Sequence, residues 1–176
     1  MELKVVKKQH NSKDCIVCGM GNHSSLKTQT YELENGLVVG ITKGENHHQS
    51  YPHRMHGGVI TALLDEVIGR AINIAEPETF GVTASLQIKF KKPVPLNEQI
   101  KIVGKVTRNT TLIFKAEGFI ENVEGDILAM AAATYVKQSI ERITGEAFGE
   151  EDWFIMPDDV KSIDIKNVDY FDKKHF

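Results

Sequence analysis

The chain has 176 residues, of which 41% are hydrophobic and 26% charged, and a formal net charge of -3. That length suits one domain with an added tail and is enough to bury a core without disulfide or metal cross-links. The slightly acidic balance excludes a chain that binds nucleic acid through a general basic surface.

Met1 to Lys8 lacks the apolar stretch of a secretory leader. No apolar run approaches the roughly 20 residues of a membrane-spanning helix. A cytoplasmic protein with no membrane partner is therefore expected. Residues 1–14 are polar and are expected to be irregular or partly helical. Cys15 and Cys18 form a Cys-x-x-Cys pattern. It reads as half a zinc site, with His10 and His23 the nearest further ligands, as a redox pair, or as a small buried turn closed by Gly19 and Gly21. No βαβ context supports a thioredoxin-like motif.

From Leu26 the pattern turns strand-like. Thr28, Thr30, Leu33, Leu37, Val39 and Ile41 flank Glu34-Asn35-Gly36, and Asn-Gly is a strong hairpin signal. Residues 45–55 have no period and read as a loop; His47, His48 and His53 there point to a polar, solvated segment rather than a metal site. Gly57-Gly58 open a helix over Val59 to Ala75, stopped by Pro77. Its apolar positions wrap most of the circumference, which places it inside the protein.

Four strands follow: Thr79 to Lys91, Ile100 to Thr107, Leu112 to Glu121, and Ile127 to Lys137. In the first, Val82, Ala84, Leu86, Ile88 and Phe90 share a face; in the second, Ile100, Ile102, Gly104 and Val106 do. Short connections favour antiparallel neighbours. An antiparallel sheet with one face to hide, wrapped around a helix with a whole circumference to hide, satisfies both and gives an α+β fold. The segments are 1–25 with the two cysteines, 26–138 as the folded domain, and 139–176 as an acidic tail. Trp153, Phe154, Ile155, Tyr170 and Phe171 are able to dock that tail on the domain.

The chemistry concentrates around the helix. Two glycines at its start let a ligand approach the backbone, where free N–H groups and the positive dipole end could hold a thioester carbonyl oxygen as it gains charge. Asp65 lies seven residues after Gly58, almost two full turns, and so on the same side. A carboxylate on an apolar helix needs a reason: it is either a catalytic group or the partner of a neighbour such as Arg70 or a strand hydroxyl. Glu66, about 100° round the helix, is the competing base or a surface or interface residue.

The run His56-Gly57-Gly58-Val59-Ile60-Thr61-Ala62-Leu63-Leu64-Asp65-Glu66 resembles the signature of hotdog-fold thioesterases of the phenylacetyl-CoA and 4-hydroxybenzoyl-CoA type. Gly81-Val82-Thr83 also matches, and Cys15-x-x-Cys18-Gly19 with Asn22 looks like a subgroup of that family; the similarity covers about Cys15 to Lys137. The resemblance implies a hotdog fold, and a homodimer, often paired into a tetramer, with active sites at the subunit interface. It implies that Asp65 activates water or attacks the thioester, and that the Gly57 N–H polarises the carbonyl. Thr83, from the same subunit as Asp65, would position the water, and His56 would support the thioester. Gln49 is the nearest amide to a second carbonyl donor, and Ser50 stands where some relatives have Asn. For the CoA end, Gly58 and the basic Lys89, Lys91, Lys92 and Arg108 are candidates, although strand-edge lysines also discourage aggregation. The expected activity is acyl-CoA hydrolysis without metal or redox cofactor. A non-catalytic acyl-CoA-binding protein, or a hotdog hydratase or dehydratase, is the alternative.

Overall fold

The computed structural model describes residues 1–146 and 149–176. In chain order the elements are β1 (Glu2–Lys8), β2 (Asn11–Ser12), β3 (Gln29–Leu33), β4 (Val38–Lys43), α1 (Gly57–Gly69), β5 (Phe80–Phe90), β6 (Gln99–Asn109), β7 (Ile113–Glu121), β8 (Ile127–Gln138), α2 (Ile140–Thr144), β9 (Trp153–Phe154) and β10 (Ser162–Asp164). Eight strands form one antiparallel sheet in the order β10-β1-β3-β4-β6-β7-β8-β5, and β2 pairs separately with β9. The sheet wraps around α1, the hotdog arrangement.

The helix starts where expected and loosens early. After Gly69 it tightens into a 3-10 turn over Arg70–Ile74. Leu63, Leu64, Val67 and Ile68 are fully buried against the sheet. Inward residues of the central strands meet them, among them Ile100, Ile102, Phe114, Ala116 and Ala131. Gly118 permits the closest approach: a Cβ there would stand 2.5 Å from Ile68 Cγ2. The β3–β4 hairpin forms at the Asn-Gly signal, with Gly36 at φ +78°.

Several expectations need correction. Residues 1–14 hold no helix and are irregular only in part: β1 is a paired strand between β3 and β10, with Leu3 opposite Ile163. Its partner lies near the far end of the chain, so no local pattern announces it. The proposed single apolar face of the first long strand is broken by a bulge between Thr83 and Ser85. Ahead of the bulge Gly81 and Thr83 face α1 and Val82 is 44% exposed; beyond it Leu86 and Ile88 join the core.

The sheet, finally, hides more than one face. Tyr31, Val39, Val103 and Phe119 form a second core on its outer side with Ile163, Ile165 and Tyr170. Glu121, wholly buried, fixes this last segment by accepting hydrogen bonds from Lys166 N (3.1 Å), Asn167 N (3.2 Å) and Asn167 Nδ2 (2.9 Å).

The 45–55 loop contains a 3-10 turn at Asn46–His48. His48 is not solvated as expected but 5% exposed. Its Nδ1 accepts from Glu45 N at 2.9 Å, and its Nε2 lies 2.9 Å from Ser24 O. No helix among the described residues is long and apolar enough to cross a membrane.

Candidate active site

Asp65 and Glu66 are adjacent on α1 and have different surroundings. Glu66 points to the cation one helical turn on: Arg70 Nη2 and Nε lie 2.7 and 2.9 Å from its Oε1. Positions four apart stack on one helix face, so this pairing is the geometric default. Arg70 is itself buried and further fixed by His10 O (2.8 Å), Cys18 Sγ (3.0 Å) and the ring of Trp153, 4.9 Å from its guanidinium carbon. Burial opposes its charge; Glu66, together with the Cys18 and Cys15 sulfurs, more than offsets this and holds the guanidinium protonated.

Asp65 has no cation among the described residues. Its partners are hydroxyls: Thr83 Oγ1 lies 2.9 Å from Oδ1 and 3.2 Å from Oδ2, and Tyr135 OH stands 3.2 Å from Oδ1 and 2.9 Å from the Asp65 backbone oxygen. Burial raises its pKa above the ordinary carboxylate value; the Thr83 and Tyr135 hydrogen bonds pull it back in part, and the neighbouring Glu66 charge raises it again. A half-buried carboxylate with a raised pKa and no counter-ion is suited to proton transfer.

A cavity of about 300 Å³ opens beside it, walled by Thr83, Tyr135, Cys15, Ile143 and Trp153 among others. Tyr135 escaped sequence reasoning. The signal available was its place as the one large ring in the small-residue run Ala131-Ala132-Ala133-Thr134-Tyr135. Its ring stacks on Phe114 at 4.7 Å, and its own pKa is pushed up by burial and then by the Asp65 charge.

The helix start is a separate cluster. His56 is the N-cap residue, and its Nδ1 accepts from Gly58 N at 2.9 Å. Gly57 N–H has no acceptor among the described residues. A Cβ at Gly57 would meet only the Phe90 ring, at 3.7 Å. Eight residues at about 1.5 Å each separate Gly57 from Asp65, roughly 12 Å along the axis.

Gln49 Oε1 accepts from His53 N at 2.9 Å, and Ser50 is exposed in the same loop. The basic candidates do not gather in one chain. Lys92 pairs with Asp126 at 2.7 Å, beside Lys91 at the far end of β5. Lys89 lies over the Phe176 ring. Arg108 is level with Lys115, Thr134 and Ser85, six residues back along β5, or about 20 Å.

Residues 53–129 match the family model described as the thioesterase superfamily. The chain is 27% identical over 100 residues to human acyl-coenzyme A thioesterase 13, covering 56% of this chain and 71% of that one. Among solved structures, a thioesterase superfamily protein superposes with a TM-score of 0.64 at 28% identity, over 71% of this chain and only 60% of the other. A thioesterase protein from Streptococcus pneumoniae, solved with coenzyme A, gives a TM-score of 0.57 at 25% identity, over 64% of this chain and 86% of its own.

Proposed function

We propose that this chain, which belongs to the thioesterase superfamily of hotdog fold, hydrolyses the thioester bond of an acyl-CoA. The observation that carries the reading is the contrast on α1. Arg70 neutralises Glu66, while Asp65 is left with hydroxyl partners, a raised pKa and a cavity.

Asp65 accepts a proton from the attacking water as the water oxygen bonds to the carbonyl carbon. Thr83 orients the carboxylate and the water. The carbonyl oxygen gains negative charge and then returns it, expelling the CoA thiolate, which takes up a proton. The charge is met by the Gly57 N–H, helped by the helix dipole. His56 supports this donor by occupying the neighbouring Gly58 N–H, which leaves the Gly57 N–H for the substrate. Gln49 and Ser50, in the preceding loop, border the carbonyl side, and Gly58 lets the thioester lie close to the backbone. Lys91, Lys92 and Arg108 serve the CoA phosphates.

One chain does not bring Gly57 and Asp65 to the same carbonyl, because roughly 12 Å far exceeds a hydrogen bond. The working unit is therefore a homodimer in which each site takes Asp65 and Thr83 from one copy and Gly57 from the other. The free edge of β5, eleven residues long with Val82 and Phe90 exposed, is the natural place for that second copy.

The test is thiol release from a series of acyl-CoAs by wild type, Asp65→Asn and Glu66→Gln. The reading expects about 10²- to 10⁴-fold loss for the first. CoA-ester binding without thiol release by the wild type would overturn it in favour of a non-catalytic acyl-CoA-binding protein.

A further inference from the structure

Cys15 and Cys18 lie on the wall of the Asp65 cavity, and hydrolysis makes no use of them. Their turn depends on Gly19, whose N donates to Cys15 O at 2.8 Å and where a Cβ would stand 2.2 Å from that same oxygen. The turn puts both sulfurs on one side: their Sγ atoms and a Glu66 carboxylate oxygen all lie within 4.8 Å of one another.

The two thiols are not equivalent. Cys15, partly open to the cavity, has its sulfur 3.3 and 3.4 Å from the donating N–H groups of Val17 and Cys18. Cys18 is 1% exposed, its Sγ 3.0 Å from Arg70 Nη2 and 3.5 Å from Glu66 Oε1.

We infer that Cys15 and Cys18 form a thiol–disulfide exchange site, with Cys15 attacking and Cys18 resolving, that takes low-molecular-weight disulfides of the glutathione type. Cys15 thiolate bonds to one sulfur of the incoming disulfide, the old S–S bond breaks, and the departing thiolate takes a proton from water. Cys18 then loses its proton to solvent through the cavity, and Arg70 holds the new thiolate. That thiolate attacks the Cys15 sulfur, forming the Cys15–Cys18 disulfide and expelling the second small thiolate, which takes a proton from water. The small disulfide is reduced to two thiols and the protein pair is oxidised, so electrons balance.

The surroundings favour this asymmetry. The Cys18 thiol beside it is the chief influence lowering the Cys15 pKa to about 7, against burial and the Glu66 charge. The same thiol–thiol contact and burial push Cys18 up. A thiolate with a pKa near ambient pH is the best attacking group in such exchanges.

A metal ion suits the cluster less well. Among the described residues only Cys15, Cys18 and Glu66 converge, where a structural zinc site needs four ligands. The Arg70 guanidinium already supplies the positive charge between Cys18 and Glu66.

The test is mass spectrometry of the full chain in oxidised glutathione. The wild type should lose the mass of two hydrogens, with peptide mapping joining Cys15 to Cys18. Cys18→Ser should instead gain one glutathionyl group at Cys15, while Cys15→Ser should stay unmodified. In the unmodified wild type, which does not depend on the variants folding, iodoacetamide should label Cys15 with a midpoint at about pH 7, and at pH 7 about tenfold or more faster than Cys18. A wild type that stays fully reduced, equal labelling of the two thiols, or stoichiometric zinc on the purified protein would overturn the inference. None of these readouts depends on thioester hydrolysis.

Discussion

Thr83 Oγ1 and Asp65 Oδ1, eighteen residues apart in sequence, stand 2.9 Å apart across the gap between β5 and α1. The bond lowers the carboxylate pKa while burial raises it. A base works when ionised, so the acid limb of the pH–rate profile should lie above the ordinary aspartate value of 3.8. Thr83→Val removes a stabilising donor to the charged form. Its limb should move to higher pH, and its plateau should fall about tenfold. Profiles of kcat/KM for the two proteins check this; superimposable limbs would detach Thr83 from the carboxylate.

Stability should respond in the opposite sense to activity at this position. The folded-state pKa of Asp65 is raised, so the folded protein holds this proton more tightly than the unfolded chain does. Stability from this group is present at low pH and is lost as pH climbs from 3.8 through the folded value. At neutral pH Asp65→Asn should therefore melt at or above the wild-type temperature while losing turnover. Glu66→Gln leaves the buried Arg70 short of its counter-charge and should cost on the order of 2–4 kcal/mol. Thermal melts at pH 7 compare the three proteins.

The extent to which these features can be read from sequence differs between neighbouring residues. The helix, the Asn-Gly turn and the glycine pair at the helix start are local signals, and each appears where its residues predict. Arg70 was a conceivable partner for Asp65, but spacing argues otherwise: five positions place it about 140° round the helix, whereas four positions bring Glu66 alongside. One of the two strand hydroxyls that meet Asp65, that of Thr83, depends on the bulge after it, and bulges follow from pairing with β8 rather than from alternation. Strand β1 and Tyr135 depend on partners more than sixty positions away, Ile163 and Asp65. Such contacts leave no periodic trace.

Gly81 holds Tyr135 in place by having no side chain. A Cβ there would stand 2.7 Å from Phe114 and 3.0 Å from Tyr135. Gly81→Ala should displace the stacked pair, cost about 1–3 kcal/mol and weaken the Tyr135 contact to Asp65. Urea unfolding and kcat measured on the same preparation report both effects; loss of neither would mean the rings absorb a methyl freely.

Gly57→Pro tests the shared site. Position 57 is the first helical residue, where proline is tolerated, and His56 already has the extended conformation a following proline needs (ψ 138°). The variant should fold, lack the N–H, and lose about 10²- to 10³-fold in kcat. Mixed and reassorted with Asp65→Asn, it should recover about a quarter of wild-type activity, because half the dimers are then mixed and each has one intact site of two. No recovery, with mixed dimers demonstrated by native mass spectrometry, would place both groups in one chain.

Trp153 borders the cavity, stacks on His10 at 5.6 Å and lies against Arg70. Trp153→Ala should enlarge the cavity and shift kcat/KM about tenfold or more toward bulkier acyl groups. A panel of acyl-CoAs of graded size measures the shift.

The segment after β8 has two attachments with different jobs. Its early part contributes Ile140, Ile143 and Trp153 to the cavity, and its later part covers Val103 and Phe119 on the sheet's far side and is tied down by Glu121. Under the proposed function, acyl selectivity and colloidal behaviour are carried by one stretch of chain. Trimming it back to Gln138 to admit larger substrates would bare a greasy surface, and aggregation would obscure any gain in scope; a broader enzyme has to be sought by point changes within it.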